Sequence, residues 1–174
     1  MTDEKSIGDV VVEWYGSALG RDDGGARAAR ARLRRCHSPV EALAIAETHE
    51  LHKRLRENGA RPTADQLALL ATTFARLKGI HGARLAALFG KRESKDGPRP
   101  LSELRFQSLI RVRARSELIA PLRRSLGVLG SDPACNGRAL AEDFYFWNER
   151  VRNTWCFQYF GTALAAENQE ETAQ

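Results

Sequence analysis

The chain has 174 residues, 43% of them hydrophobic and 28% charged, a balance that supplies enough apolar side chain to bury a core. Lys and Arg number 27 against 22 Asp and Glu, a net charge of +5, which favours acidic partners, while no apolar run approaches the roughly 20 residues of a membrane span. The opening MTDEKSIGDVVVEWYG carries no signal-peptide core, and Cys36, Cys135 and Cys156 are too few and too irregularly spaced for a disulfide framework, so a reducing, cytoplasmic location is expected.

Helical periodicity dominates, and no segment alternates apolar and polar residues as a half-buried strand would, so the fold is expected to be all-α. A first helix is predicted over about residues 6–19, ending at Gly20. The next segment, RDDGGARAARARLRRCH, predicts a helix to about Cys36, with Asp22-Asp23 as its cap. At 100° per residue Ala26, Ala29, Leu33 and Cys36 form one apolar stripe, and Arg27, Arg30 and Arg34 line a second face. Ser38-Pro39 starts a third helix, VEALAIAETHELHKRLREN, which stops at Asn58-Gly59. A fourth, capped by Thr63, runs through ADQLALLATTFARLKGI and breaks near Gly79 to Gly82, and the short helix ARLAALFG ends at Gly90.

Residues 91–100, KRESKDGPRP, read as a linker, charged and broken by Gly97, Pro98 and Pro100. Two small helical bundles are therefore expected, residues 1–90 and 101–174, joined by 91–100. Past the linker Ser102 caps a helix containing ELRFQSLIRVRA, which should end before Arg113, since an arginine there would fall within the stripe of Phe106, Leu109 and Ile110. SELIAPLRRSLGVL forms another, with Pro121 inside it. After a loop with Ser131-Asp132-Pro133, one long helix from about Arg138 to Ala165 should carry Leu140, Phe144, Trp147, Val151 and Trp155 on one face, followed by a fraying polar tail, ENQEETAQ.

Catalytic chemistry finds little support. His49 and His52 stand three apart without a third ligand, so no metal site is expected. Cys36 and His37 are adjacent and point apart on a helix, which disfavours a thiolate pair. The glycines of GRDDGG and GIHG lie between helices with no preceding strand, so a phosphate loop or dinucleotide site fails on context, and the carboxylates are too scattered for a two-metal nuclease. The sequence reads as a protein with neither enzymatic activity nor cofactor.

What stands out is clustered arginine. There are 22 Arg to 5 Lys, a ratio that codon bias in a GC-rich genome explains, so the functional argument rests on grouping. Arg27, Arg30 and Arg34 form the first patch, Arg105, Arg111, Arg113 and Arg115 the second, and Arg123-Arg124 the third. The planar guanidinium matches phosphate oxygens bidentately and suits a nucleic-acid backbone. The aromatics, including Trp14, Phe146 and Phe157, are able to stack on unpaired bases, though Trp147 and Trp155 at helical spacing belong to a core.

The order of these features resembles a known family. An N-terminal helix with Trp14, then GARAARARLRRC, ALFG, RFQSLIRV, PLRRSL and the closing DFYFWNERVRNTWCFQYFG are similar to the CasB family, the small subunit of the type I-E CRISPR Cascade complex, over nearly the whole chain. The resemblance implies a non-enzymatic subunit that partners the other Cascade subunits and guide RNA, sits beside a second copy of itself, and holds the displaced single DNA strand. It maps Arg27, Arg30 and Arg34 onto the family's N-terminal arginine motif, Arg105 onto its Arg-Phe motif, and Arg123 and Arg124 onto its Leu-Arg-Arg. Arg111 in the second cluster and Arg138, Arg150 and Arg152 near the last helix are further candidates. The alternative is a helical interaction adaptor whose arginines meet acidic protein surfaces.

Overall fold

The computed structural model describes residues 4–162. Their helices are α1 (Ile7–Ala18), α2 (Gly24–Arg34), α3 (Pro39–Leu43), α4 (Ala46–Glu57), α5 (Ala64–Phe74), α6 (Leu85–Gly90), α7 (Glu103–Arg111), α8 (Arg115–Leu126), α9 (Gly137–Tyr145) and α10 (Glu149–Phe160), with a 3-10 turn at Gly127–Leu129. The described residues hold no β-strand, only a parallel bridge between Gly79 and Ala134. The fold is all-α, as the periodicity predicts.

Most helix starts are written locally. Ser6 and Asp9 form a capping box, each side chain accepting from the other's backbone N–H at 3.1 and 3.3 Å, and Thr63 and Gln66 form a second at 3.2 and 2.7 Å. Asp23 accepts from the Ala26 N–H at 2.8 Å, which confirms the capping role expected of it. Asn136 and Asn148 do the same for α9 and α10, each at 3.0 Å.

Two long expected helices are broken. The third divides at Ala44 and Ile45, because the Thr48 hydroxyl donates to the Ala42 carbonyl at 2.8 Å and Ile45 is extended, with φ −104° and ψ 130°. A side-chain hydrogen bond thus replaces a helical one, as threonine readily does. The closing helix divides at Phe146 to Asn148, and the Asn148 cap starts α10 in a new direction. The break lets Trp147 and Trp155 meet edge to face at 5.2 Å, with Phe144 against both at 5.9 and 5.8 Å. Two other helices are shorter than expected: α2 stops at Arg34 rather than Cys36, and α5 at Phe74. Beyond α5 the chain extends beside residues 133–137, where Lys78 N–H donates to the Pro133 carbonyl at 2.8 Å and Gly137 N–H to that of Ile80 at 2.9 Å. The last helix stops at Phe160, where Gly161 takes a left-handed conformation (φ 69°), short of the expected Ala165; the ENQEETAQ tail lies outside the described residues. By contrast α7 ends at Arg111, before Arg113, as its stripe requires.

α5 is the central element. Every residue from Leu67 to Phe74 is buried, so it is apolar on all sides, and α2, α3, α4, α8 and α9 pack around it. One apolar core runs through helices on both sides of segment 91–100: α1 lies along α9, α5 along α8, and α6 along α10. The α6–α10 contact is backbone to backbone, since a Cβ on Gly90 would sit 1.8 Å from the Tyr159 carbonyl oxygen. Segment 91–100 contributes Arg99, whose guanidinium lies 5.0 Å from the ring centres of both Tyr159 and Phe160.

Candidate nucleic-acid interface

Every α-helix ends in carbonyls with no intrahelical donor and a partial negative charge. In this protein arginines supply many of the missing donors. Arg30 donates to the Leu19 carbonyl at the end of α1, Arg76 to that of Arg34 at the end of α2, and Arg34 to that of Ala75 at the end of α5, the last at 2.7 Å. Arg99 reaches Gly90 at the end of α6 at 2.7 Å, Arg152 reaches Ile110 in the last turn of α7 at 3.2 Å, and Arg115 spans Phe144 and Tyr145 at the end of α9 at 2.9 and 2.6 Å. Much of the arginine excess is therefore structural, and Arg115 and Arg152 brace helix ends in this way.

Where three such helix ends meet, the arginines are in surplus. The C-terminal ends of α2, α5 and α8 bring Arg34, Arg76 and Arg123 onto one cleft of about 190 Å³, rimmed by Gly127, Gly130, Ser131 and Pro133. No carboxylate lines it. Arg34 and Arg76 each give only part of their five donors to carbonyls, and the rest remain for a ligand. Arg123 Nη1 lies 2.7 Å from His37 Nδ1; because a guanidinium only donates, that ring nitrogen accepts. Burial first, and then the charges of Arg123 and Arg34, hold Arg76 below the ordinary arginine range. The three cations thus repel one another in a partly desolvated place, and an anion bound there relieves the repulsion.

The other predicted residues are dispersed. Arg27 is exposed and pairs with Asp22 at 2.7 Å, and Arg138 pairs with Asp9 at 3.0 Å; exposed pairs of this kind are weak and exchange readily for a phosphate. Arg30 stands at the end of α1, away from the cleft's lining. Arg111 is exposed at the end of α7, and Arg150 is exposed in the first turn of α10. Arg105 and Arg124 line a separate groove between α7 and α8, so the adjacent pair Arg123-Arg124 divides between two surfaces. Arg76 was not singled out from sequence, and His37 was considered only as a neighbour of Cys36. The only signal for Arg76 is an arginine directly after the apolar run LALLATTFA.

Among the described residues no three His, Cys, Asp or Glu side chains gather as a metal would need, and no helix is long and apolar enough to cross a membrane. Cys135 is buried, and its thiol is pushed up to about 12 by desolvation, far from a reactive thiolate. His49 gives a ring nitrogen to the Leu43 carbonyl at the end of α3, at 2.6 Å.

The architecture defines an all-α protein whose helices pack around one buried central helix, with a cationic cleft where three helix C-termini converge. The profile of the family described as CRISPR-associated protein Cse2 matches residues 29–160, and the chain belongs to that family. Two solved structures share the fold. One is from E. coli Cascade bound to a PAM-containing double-stranded DNA target, with TM-score 0.64 and 19% identity over 92% of this chain and 100% of that one. The other is CasB from Thermus thermophilus, with TM-score 0.62 and 20% identity over 93% of this chain and 100% of that one. A comparison with curated protein sequences finds no match.

Proposed function

We propose that this chain is the non-catalytic small subunit of a type I-E CRISPR Cascade surveillance complex and that it holds nucleic-acid backbone, above all the DNA strand displaced when guide RNA pairs with its target. The observation that carries the reading is the cleft in which Arg34, Arg76 and Arg123 converge with no carboxylate among its lining residues. Family membership and a fold shared with a chain of a DNA-bound Cascade support it. Arg27, Arg111, Arg138 and Arg150 are exposed and Arg30 is half-buried, further cations for the same strand to meet outside the cleft. The other Cascade subunits, the guide RNA and a second copy of the chain are the partners this role requires.

The mechanism needs no covalent step. Exchange of a DNA duplex for an RNA–DNA hybrid is nearly balanced in free energy, so contacts made only to the open form tip it. Each phosphate seated on a guanidinium releases condensed counterions, giving sequence-independent binding with a log-log salt slope of roughly −0.7 per contact on a single strand. The test is to titrate the purified chain against a fluorescent unstructured single strand and a matched duplex across a salt series without magnesium. Steep salt dependence, little sequence preference and an intact probe are expected. Absence of binding at low salt overturns the phosphate reading, and cleavage of the probe overturns the non-catalytic one.

A further inference from the structure

A groove of about 990 Å³ separates α7 from α8. Its surface is mostly apolar, with Leu104, Leu109 and Val112 on one side and Ala120 and Pro121 on the other, and with Ser108, Ser125 and the carboxylate of Glu117 also in the lining. Leu104 stands in the first turn of α7 with 74% of its surface in water, an unusual setting for leucine beside an apolar groove. Each wall carries a cation, Arg105 on α7 and Arg124 on α8, and among the described residues neither guanidinium has a hydrogen-bond or ion-pair partner. Pro121 has no N–H to offer the Glu117 carbonyl four residues earlier, so this wall also holds a backbone acceptor that lacks its helical donor.

Unlike the cleft of Arg34, Arg76 and Arg123, this mostly apolar groove offers a phosphate backbone no converging cations, and its carboxylate Glu117 would repel one. Surfaces that hold unpaired bases stack them on aromatic rings, and no aromatic residue lines this groove. An apolar surface between two free guanidiniums complements a polypeptide segment whose aliphatic side chains fill the groove while carboxylates on either side reach Arg105 and Arg124. We propose that the α7–α8 groove docks such a segment from a different protein subunit of the complex, which places Arg105 and Arg124 at a protein interface and leaves the Arg34–Arg76–Arg123 cleft to the DNA. The inference rests on the reading of the chain as a Cascade subunit.

The experiment co-expresses the full chain with guide RNA and the other Cascade subunits, one of them tagged, and follows how much of the chain is recovered. Leu104→Asp, on an exposed side chain, is expected to lower recovery about tenfold or more while the melting temperature and single-strand binding of the isolated chain stay as in wild type. Arg105→Glu with Arg124→Glu is expected to lower recovery as well. A benzophenone side chain placed at position 104 should photo-cross-link to a different protein subunit. Wild-type recovery of Leu104→Asp overturns the proposal, as does a cross-link to DNA, to RNA or to a second copy of the chain. Failure of the wild-type chain itself to join the complex overturns the Cascade reading and this inference with it, and so is distinguishable from a failure of the groove alone.

Discussion

Arg34 and Arg76 each hold the end of the helix that leads to the other: Arg34 Nε donates to the Ala75 carbonyl at 2.7 Å, and Arg76 Nη2 donates to the carbonyl of Arg34. This crossed pair locks the end of α2 against the end of α5 and forms one wall of the cleft. Arg76→Ala removes one half of the lock and leaves a half-buried carbonyl without its donor. The expected cost is about 1–3 kcal/mol in chemical denaturation, together with weaker single-strand binding. Arg76→Lys keeps the charge but not the planar fork, and should recover more of the binding than of the stability.

Arg123 tests the same cleft without the structural burden. Its guanidinium is exposed, and among the described residues His37 is the one side chain it hydrogen-bonds. Arg123→Ala is expected to change stability by no more than about 0.5 kcal/mol, while the log-log salt slope of single-strand binding falls by roughly 0.7 in magnitude, the loss of one phosphate contact. Fluorescence anisotropy across a salt series reads the slope. A slope equal to wild type removes Arg123 from the interface.

The helical class, most starts and the early end of α7 were legible in the sequence because they depend on neighbours within one turn, as with Ser6 and Asp9 or Thr63 and Gln66. The breaks at Ile45 and Phe146 were not. They depend on what Thr48 and the Trp147–Trp155 pair find in three dimensions, and a helical projection continues straight through both positions. The basic site was legible only in part. Periodicity put Arg27, Arg30 and Arg34 on one face, but the structure ties Arg30 and Arg34 to carbonyls from distant segments and supplies Arg76 from a third. Local sequence carries no record of which helix C-terminus lies within reach of which guanidinium. For the same reason Arg115 and Arg152, alike in sequence to their neighbours, are braces.

Two glycines on helices separate packing from propensity. Gly16 lies inside α1 with nothing within 4 Å of where a Cβ would stand, so Gly16→Ala should stabilise the fold by roughly 0.5–1 kcal/mol through helix propensity alone. Gly90 ends α6 against the Tyr159 carbonyl, and a Cβ there would come within 1.8 Å of the oxygen. Gly90→Ala must push α6 and α10 apart and disturb the Phe106–Tyr159 stack at 4.0 Å, for a loss of about 3 kcal/mol or more. Thermal melts of both variants check the pair, and a neutral Gly90→Ala would contradict the backbone contact between these helices.

Asp143 sets a pH dependence whose direction follows from its surroundings. Burial raises it above the ordinary 3.8, and the hydrogen bond from Trp155 Nε1 at 2.8 Å and the charge of Arg84 pull only partly the other way. The folded protein therefore holds this proton more tightly than the unfolded chain does. Its contribution is fully present below about pH 4, the unfolded carboxylate range, and is lost as pH rises through the raised folded value. Asp143→Asn keeps an oxygen to accept from Trp155 without the charge. The variant's unfolding free energy relative to wild type should rise with pH from about 4 and level off once Asp143 is ionised in both states. Comparing the two proteins at each pH cancels the titration of the exposed carboxylates. A difference that stays flat, or that turns in favour of the wild type as pH rises, would show that the folded protein accommodates the carboxylate as charged.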